Sequence, residues 1–336
     1  MRKKDFVVNI LIVTFLIFTW TGKGTAGTEY SGPLRLVQTI PLPKVKGRID
    51  HMALDDAGQR LFIAAFENNT IEVVDLRSGK RIQTIGGLHE PQDVYYLAEP
   101  GRIVVSNGRD GSLRFFDGHS LSLIRNINFH EDADNLRYDS QTKYLYLGYG
   151  KGLGIVDTKS EKVIGDIGLS GHPEAFQLES RGPRIFVNIP SAGQIAVVNR
   201  VNRGVIADWS LKGADNFPMA LDEKRHRLFV GCRHPAKMFI YDTESGKKVS
   251  EVVIGLDVDD IFFDTANRRI YASCGQGFID VIYQKDADHY EVTARIRTRQ
   301  GARTSRYSAD RGKLYVAAPG RSGKSAVIFV YAVVTK

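Results

Sequence analysis

One motif recurs at nearly constant spacing along the 336-residue chain. It is a Lys or Arg followed by an alternating apolar run, and successive copies begin 41 to 44 residues apart. A fixed period of this length is typical of repeat architectures, in which each unit buries its apolar face against its neighbours. The spacing therefore predicts seven similar units. They begin near Arg60, Arg102, Lys143, Arg184, Arg227, Arg269 and Lys313.

Each unit contains four short segments with β character. In the first unit these are residues 49–54, 60–65, 70–75 and 80–85, and polar residues and glycine, which favour turns, separate them. No segment after residue 26 shows ten residues of helical periodicity. A four-stranded antiparallel unit of about 42 residues is typical of a β-propeller blade.

The two ends of the chain complement each other. The seventh unit has strand patterns near 304–308, 313–317 and 326–333, but no fourth. Residues 34–40 resemble residues 81–85, the fourth strand of the first unit. An N-terminal strand that completes the last blade hides the edges that an open array exposes. The sequence thus predicts an all-β, seven-bladed β-propeller whose last blade is closed by the N-terminal strand.

Several third strands end in an aspartate followed by a tight turn, as at Asp75, Asp117, Asp157 and Asp242. In this respect residues 34–334 resemble the YVTN-type β-propeller repeat family, including YncE-like proteins. Unit 4 departs from the pattern with Asn199, and the literal tetrapeptide is absent. The resemblance implies the fold. At fold level alone it also permits a lactonase or an electron-transfer propeller.

The first 26 residues have the three zones of a secretory signal peptide. Lys and Arg occupy positions 2–4, positions 6–20 are apolar, and small residues fill positions 24–26. Fifteen helical residues rise about 22 Å, which is short of a bilayer core of about 30 Å. We expect cleavage to leave a periplasmic or secreted protein with no membrane span and a single propeller domain at residues 27–336.

Residues near the start of each first strand are predicted to face the central funnel. Alignment of the units leaves a one-residue alternative in units 2, 3 and 4. A ring of acids there attracts cations or amines; alternatively, the acids hydrogen-bond to neighbouring blade loops. The candidates for ligand binding are Asp50, His51, Asp93, Asp134, Glu174, Asp259 and Arg303, with Phe217 at the remaining position.

Histidines also lie near these loops, and imidazoles combined with carboxylates can bind a divalent transition metal. The candidate ligands are His51, His89, His130 and His172. Each is alternatively a solvated loop residue, so no cofactor is predicted. Cys232 and Cys274 occupy equivalent sites in adjacent units, too far apart for a disulfide, and are predicted to be buried thiols.

Positive charge concentrates in residues 295–324, where Asp310 is the only acidic residue. Arg295, Arg297 and Arg299 alternate along an outer strand and share a face. This pattern predicts an anion-binding patch, with nucleic acid as one possible partner, or a charged edge strand that opposes aggregation.

No hydrolase, nucleotide-binding or calcium-binding motif is present. The leading hypothesis is therefore a monomeric, non-enzymatic binding or scaffold propeller that engages a small ligand or a protein at its funnel. The alternative is a lactonase-type hydrolase, in which His51 or an acid of raised pKa acts as the base and Arg303 stabilises the oxyanion.

Overall fold

The computed structural model describes residues 32–211, 214–321 and 323–335. These residues form seven four-stranded antiparallel sheets, which confirms the predicted propeller. The proposed signal peptide lies outside the described residues. Within the described part of the chain, no helix is long and apolar enough to cross a membrane. The residues described include three single-turn 3-10 helices, at Phe66–Asn68, Pro190–Ala192 and Glu223–Arg225.

Strand β1 (Leu34–Leu42) precedes the first complete blade. Blade 1 contains β2 (Met52–Asp55), β3 (Arg60–Ala65), β4 (Thr70–Asp75) and β5 (Lys80–Ile85). Blade 2 contains β6 (Pro91–Leu97), β7 (Arg102–Asn107), β8 (Ser112–Asp117) and β9 (Leu123–Asn128). Blade 3 contains β10 (Ala133–Asp139), β11 (Tyr144–Tyr149), β12 (Gly152–Asp157) and β13 (Lys162–Gly168). Blade 4 contains β14 (Phe176–Leu178), β15 (Arg184–Ile189), β16 (Gln194–Asn199) and β17 (Gly204–Ser210).

Blade 5 contains β18 (Ala214–Asp222), β19 (Arg227–His234), β20 (Lys237–Asp242) and β21 (Lys248–Val253). Blade 6 contains β22 (Val258–Asp264), β23 (Arg269–Cys274), β24 (Phe278–Gln284) and β25 (Tyr290–Arg297). Blade 7 contains β26 (Ser305–Ser308), β27 (Lys313–Ala318) and β28 (Ala326–Val333), and β1 completes it. The first strands of neighbouring blades contact one another, including β26 with β2, so the seven sheets close into a ring.

Pairing of β1 with β28 closes the ring. The antiparallel register runs from Leu34 opposite Val333 to Leu42 opposite Ala326, with an irregularity between Leu36 and Gln38. The Ile40 and Leu42 side chains are fully buried in an apolar cluster formed by residues of blades 7 and 1. Burying them removes apolar surface from water and covers the outer edge of β28.

The basic residue that starts the repeat motif connects adjacent blades. Arg60 donates to the Gly118 carbonyl at 2.6 Å, and Arg184 donates to the Thr243 carbonyl at 2.6 Å. In both cases the acceptor follows the third strand of the next blade. Arg102, Arg227 and Arg269 likewise reach across to Glu161, Ala287 and Val334. The repeated charge that reveals the period in the sequence therefore fastens each of these blades to its neighbour.

Blade 3 departs from the predicted anchor by one residue. Tyr144 pairs with Asp157, as Arg60 pairs with Asp75 in blade 1, so Tyr144 occupies the anchor position. Lys143 precedes the strand with a φ of 63°. The apolar alternation continues through Tyr144, so the sequence pattern could not distinguish the two registers.

The aspartates that end the third strands fix the turns that follow. Asp75 accepts a hydrogen bond from the Ser78 amide at 2.6 Å, and such bonds lower the pKa of Asp75. Asn199 in blade 4 accepts from the Val201 amide at 2.9 Å through its side-chain oxygen. The departure at Asn199 thus keeps the acceptor that the turn requires.

The two cysteines, Cys232 and Cys274, are both free and fully buried, as the sequence predicted. Burial raises the pKa of each thiol to about 12. Neither thiol is therefore a nucleophile at neutral pH.

Candidate functional site

A cavity of about 590 Å³ opens between the inner strands, with lining residues from all seven blades. Equivalent positions in the seven blades can be found from the pairing of the first and second strands. In each blade the reference is the first-strand residue that pairs with the fourth residue of the repeat motif, as Met52 pairs with Ile63 in blade 1. We call the residue two before it the rim position, the next the middle position, and the residue three after the rim the deep position. At about 3.3 Å per strand residue, rim and deep positions lie about 10 Å apart.

The rim positions contain most of the predicted candidates. They are Asp50, Gln92, Asp134, Glu174, Phe217, Asp259 and Arg303. Asp93 was assigned one residue out of register, because Gln92 holds the rim position of blade 2. The backbone ladder is irregular where several of these strands begin, which explains the ambiguity.

Two middle-position aspartates support the neighbouring blade. Asp93 accepts a hydrogen bond from the Leu136 amide at 2.8 Å, and Asp260 accepts one from the Ser305 amide at 2.6 Å. Both acids also line the cavity. The sequence analysis gave hydrogen bonding to a neighbouring blade as the alternative to ligand binding. The Asp93 carboxylate makes such an inter-blade hydrogen bond.

Arginines neutralise much of the predicted acidic ring. Arg48 lies 2.6 Å from Asp50, and Asp259 is paired with Arg233 and, at 3.0 Å, with Arg303. Arg48 and Arg233 were missed from the sequence, because they lie before β2 and at the end of β19, outside the strands that were aligned.

His51 lies between two carboxylates. Its Nδ1 is 3.6 Å from Asp260, and its Nε2 is 4.0 Å from Asp50. Burial lowers the pKa of His51, but the Asp260 and Asp50 carboxylates outweigh it and raise this pKa well above its ordinary value. A higher pKa leaves less of the neutral imidazole that can accept a proton, which weakens the case for His51 as a general base.

His172 lies among three acidic residues, Asp132, Asp134 and Glu174. Its Nε2 is 3.8 Å from Asp134 and 4.0 Å from Asp132, and its Nδ1 is 3.1 Å from the Gly150 carbonyl oxygen. Ligand atoms of Asp134, His172 and Glu174 all lie within 4.8 Å of one another. Burial, then Asp134, raises the pKa of Glu174 to about 8.

The other two candidate metal-binding histidines do not line the cavity. His89 pairs with Asp110 at 2.9 Å, and His130 is exposed. Neither belongs to the cluster of His172. The residues that could hold a metal are therefore Asp134, His172 and Glu174, with Asp132 beside them.

The deep positions differ in charge from the rim. They are Ala53, Tyr95, Arg137, Gln177, Ala220, Phe262 and Arg306, and they include no carboxylate. Arg137 donates to the Phe176 and Leu136 carbonyls. The guanidinium of Arg306 makes no hydrogen bond or ion pair with any described residue, and its Nε is buried. The sequence signal for both arginines was their place three residues after Asp134 and Arg303.

The predicted anion patch is largely engaged within the protein. Arg295 pairs with the buried Asp280 at 2.6 Å, and Arg299 donates to the Ser325 carbonyl at 2.7 Å. Arg295 and Arg297 lie over the Phe278 ring, whereas Arg299 lies beyond the end of β25 over the Phe329 ring, so the three do not share one strand face. Only one of the three guanidinium groups, that of Arg297, has no ion pair or hydrogen bond to the described residues.

Comparison with known proteins adds support for the fold. No family model and no curated protein matches the sequence. A chain from the crystal structure of a mitotic checkpoint complex superposes with a TM-score of 0.77 at 13% identity, over 98% of this chain and 100% of that chain. A chain of Kuenenia stuttgartiensis hydrazine synthase gives a TM-score of 0.75 at 14% identity, over 92% and 99%. At such identities the likeness shows the fold alone.

We predict that Asp50→Asn stabilises the protein at high pH. The side chain is 1% exposed, and burial raises the pKa of Asp50 to about 7, although Arg48 opposes this. Because the folded state binds the Asp50 proton more tightly than the unfolded state does, the protonated carboxyl group stabilises the fold below about pH 4. This stabilisation is lost as the pH rises to about 7. Thermal unfolding should show similar stability near pH 4 and a gain of at most about 4 kcal/mol for the variant at pH 8.

The wild-type chain is the control at each pH. A variant that is less stable than wild type at pH 8 would show that the Asp50 carboxylate is a required partner of Arg48.

Proposed function

We propose that this protein is a binding propeller that holds a small organic anion in its funnel. The observation that carries the proposal is Arg306, a guanidinium that lines the cavity without a hydrogen bond or ion pair to any described residue. The other arginines of the cavity wall, Arg48, Arg137, Arg233 and Arg303, all contact carboxylates or carbonyls.

A carboxylate-bearing ligand matches the chemistry of the deep positions. A buried donor without an acceptor destabilises a protein, and a bound carboxylate can accept two parallel hydrogen bonds from one guanidinium. Because no deep position carries an acid, nothing on that layer competes with the ligand for Arg306.

Aromatic side chains supply the apolar part of the wall. Tyr95, Tyr138, Phe262 and Tyr307 line the cavity, and the rings of Tyr95 and Tyr138 are 5.8 Å apart. Binding pockets for small molecules commonly combine such apolar walls with a few fixed polar groups. An anion with an apolar or planar body therefore suits the funnel better than a fully hydrated inorganic ion.

The other hypotheses receive less support. The lactonase hypothesis loses support for His51 as its base, because the Asp260 and Asp50 carboxylates raise the pKa of His51, and for Arg303, which is occupied by Asp257 and Asp259. Nucleic-acid binding by the 295–324 sector needs free cations, but Arg295 and Arg299 are engaged internally.

We also propose that the protein is an exported member of the YVTN-type family. The turns capped by Asp75 and its counterparts support the family, and the order of charge, apolar run and small residues in 1–26 supports export. Mass spectrometry of the N-terminus of the protein recovered from cells should find a chain that begins near Gly27. A chain that retains Arg2 and the residues after it would contradict export by cleavage.

We predict that Arg306→Gln weakens anion binding by about tenfold to a hundredfold, because one charge-assisted interaction contributes about 1.5–3 kcal/mol. Titration calorimetry with malonate, citrate and benzoate measures this, and the same samples can be assayed for lactone hydrolysis. The matched control is Arg297→Gln. Arg297 lies outside the cavity and makes no ion pair with the described residues.

Equal affinity of Arg306→Gln and wild type, or no measurable binding of all three anions, would refute the proposal. Lactone turnover by the wild-type protein would favour the hydrolase.

A further inference from the structure

We propose that Asp134, His172 and Glu174 bind one divalent transition-metal ion at the mouth of the funnel. Asp134 and Glu174 hold the rim positions of the adjacent blades 3 and 4, and His172 lies two residues before Glu174. The ring thus brings two rim carboxylates and one imidazole to a single point.

The spacing of these atoms is close to that of a metal site. The Nε2 of His172 is 3.8 Å from the Oδ2 of Asp134, and all three ligand atoms lie within 4.8 Å of one another. Two ligands of a tetrahedral ion with bonds of about 2.1 Å are about 3.4 Å apart. Small rotations of the side chains bring the ligand atoms to that separation.

The imidazole is oriented as a ligand. Its Nδ1 lies 3.1 Å from the carbonyl oxygen of Gly150, and that acceptor fixes the proton on Nδ1. The Nε2 lone pair of His172 is then directed at the carboxylates. A backbone carbonyl on the far nitrogen is the usual support of a metal-binding histidine.

The carboxylates lack other partners. The side chain of Asp134 is only 9% exposed, yet it accepts no hydrogen bond of normal length from the described residues, and its one ion pair with them is that with His172 at 3.8 Å. Glu174 likewise accepts none from them. By contrast, Asp93 and Asp260 receive backbone N–H groups. A buried carboxylate that accepts no hydrogen bond is stabilised by a bound cation.

The donor set indicates which ions bind. One nitrogen and two carboxylates suit Zn²⁺ and neighbouring transition metals, whereas Ca²⁺ prefers six or more oxygen ligands. Asp132, whose carboxylate is 4.0 Å from the Nε2 of His172 and accepts a hydrogen bond from Gln92, is placed as a further oxygen ligand. This site does not depend on Arg306, so the two proposals can fail separately.

Titration calorimetry of the chelator-treated full chain with Zn²⁺ tests the proposal. We expect one equivalent to bind, and His172→Gln and Glu174→Gln each to weaken binding at least about tenfold. Ca²⁺ should bind far more weakly than Zn²⁺. The matched control His89→Gln removes a histidine that pairs with Asp110 outside the cavity and should bind Zn²⁺ as wild type does.

A second readout keeps the test independent of heat effects. Co²⁺ bound through an imidazole should give a visible absorption band that His172→Gln loses, while circular dichroism shows the variant to be folded. Absence of stoichiometric Zn²⁺ binding, or unchanged affinity in folded His172→Gln, would overturn the proposal.

Discussion

The antiparallel pairing of β1 with β28 is the constraint on which the rest of the structure depends. Each blade contacts its two neighbours, and the inner strands form a circle only if the last sheet meets the first. Burial of Ile40 and Leu42 provides apolar contact at this junction. Anchor arginines such as Arg60 and Arg184 then fasten successive blades along the outside of the inner ring.

Closure has an electrostatic consequence, because it brings charges that are far apart in the sequence into one small cavity. The rim acids Asp50 and Asp259 are paired with Arg48, Arg233 and Arg303, whereas the deep positions carry arginine without acid. The cavity wall therefore has mixed charges at the rim positions, which include the carboxylates beside His172, and a cationic group among the deep positions at Arg306. Such a division suits an anion at Arg306 and a metal ion at the rim positions of blades 3 and 4.

The sequence predicted the fold well because the fold depends on local patterns. Period, strand alternation and turn residues identified the blades, and the likeness of residues 34–40 to a fourth strand identified the closure. The candidate site was predicted less completely. Asp93 was placed one residue out of register, since strand entries are irregular and a single slip reverses the side chain.

Pairing between charges was the part that could not be predicted. Nothing in the sequence indicates that Arg233 contacts Asp259, or that Arg306 lacks a partner, because both facts depend on how separate blades approach one another. The sequence analysis named the members of the metal cluster only separately. Asp134 and Glu174 were candidates for ligand binding in the funnel, and His172 was a candidate metal ligand. They come together only because blades 3 and 4 are neighbours in the folded ring.

Hydrogen–deuterium exchange of the backbone amides of β1 tests ring closure most directly. If β1 closes the ring, its paired amides should exchange as slowly as those of β28, because both are released only when the last blade opens. Rapid exchange throughout residues 34–42, with β28 still protected, would contradict closure and with it the funnel that closure creates.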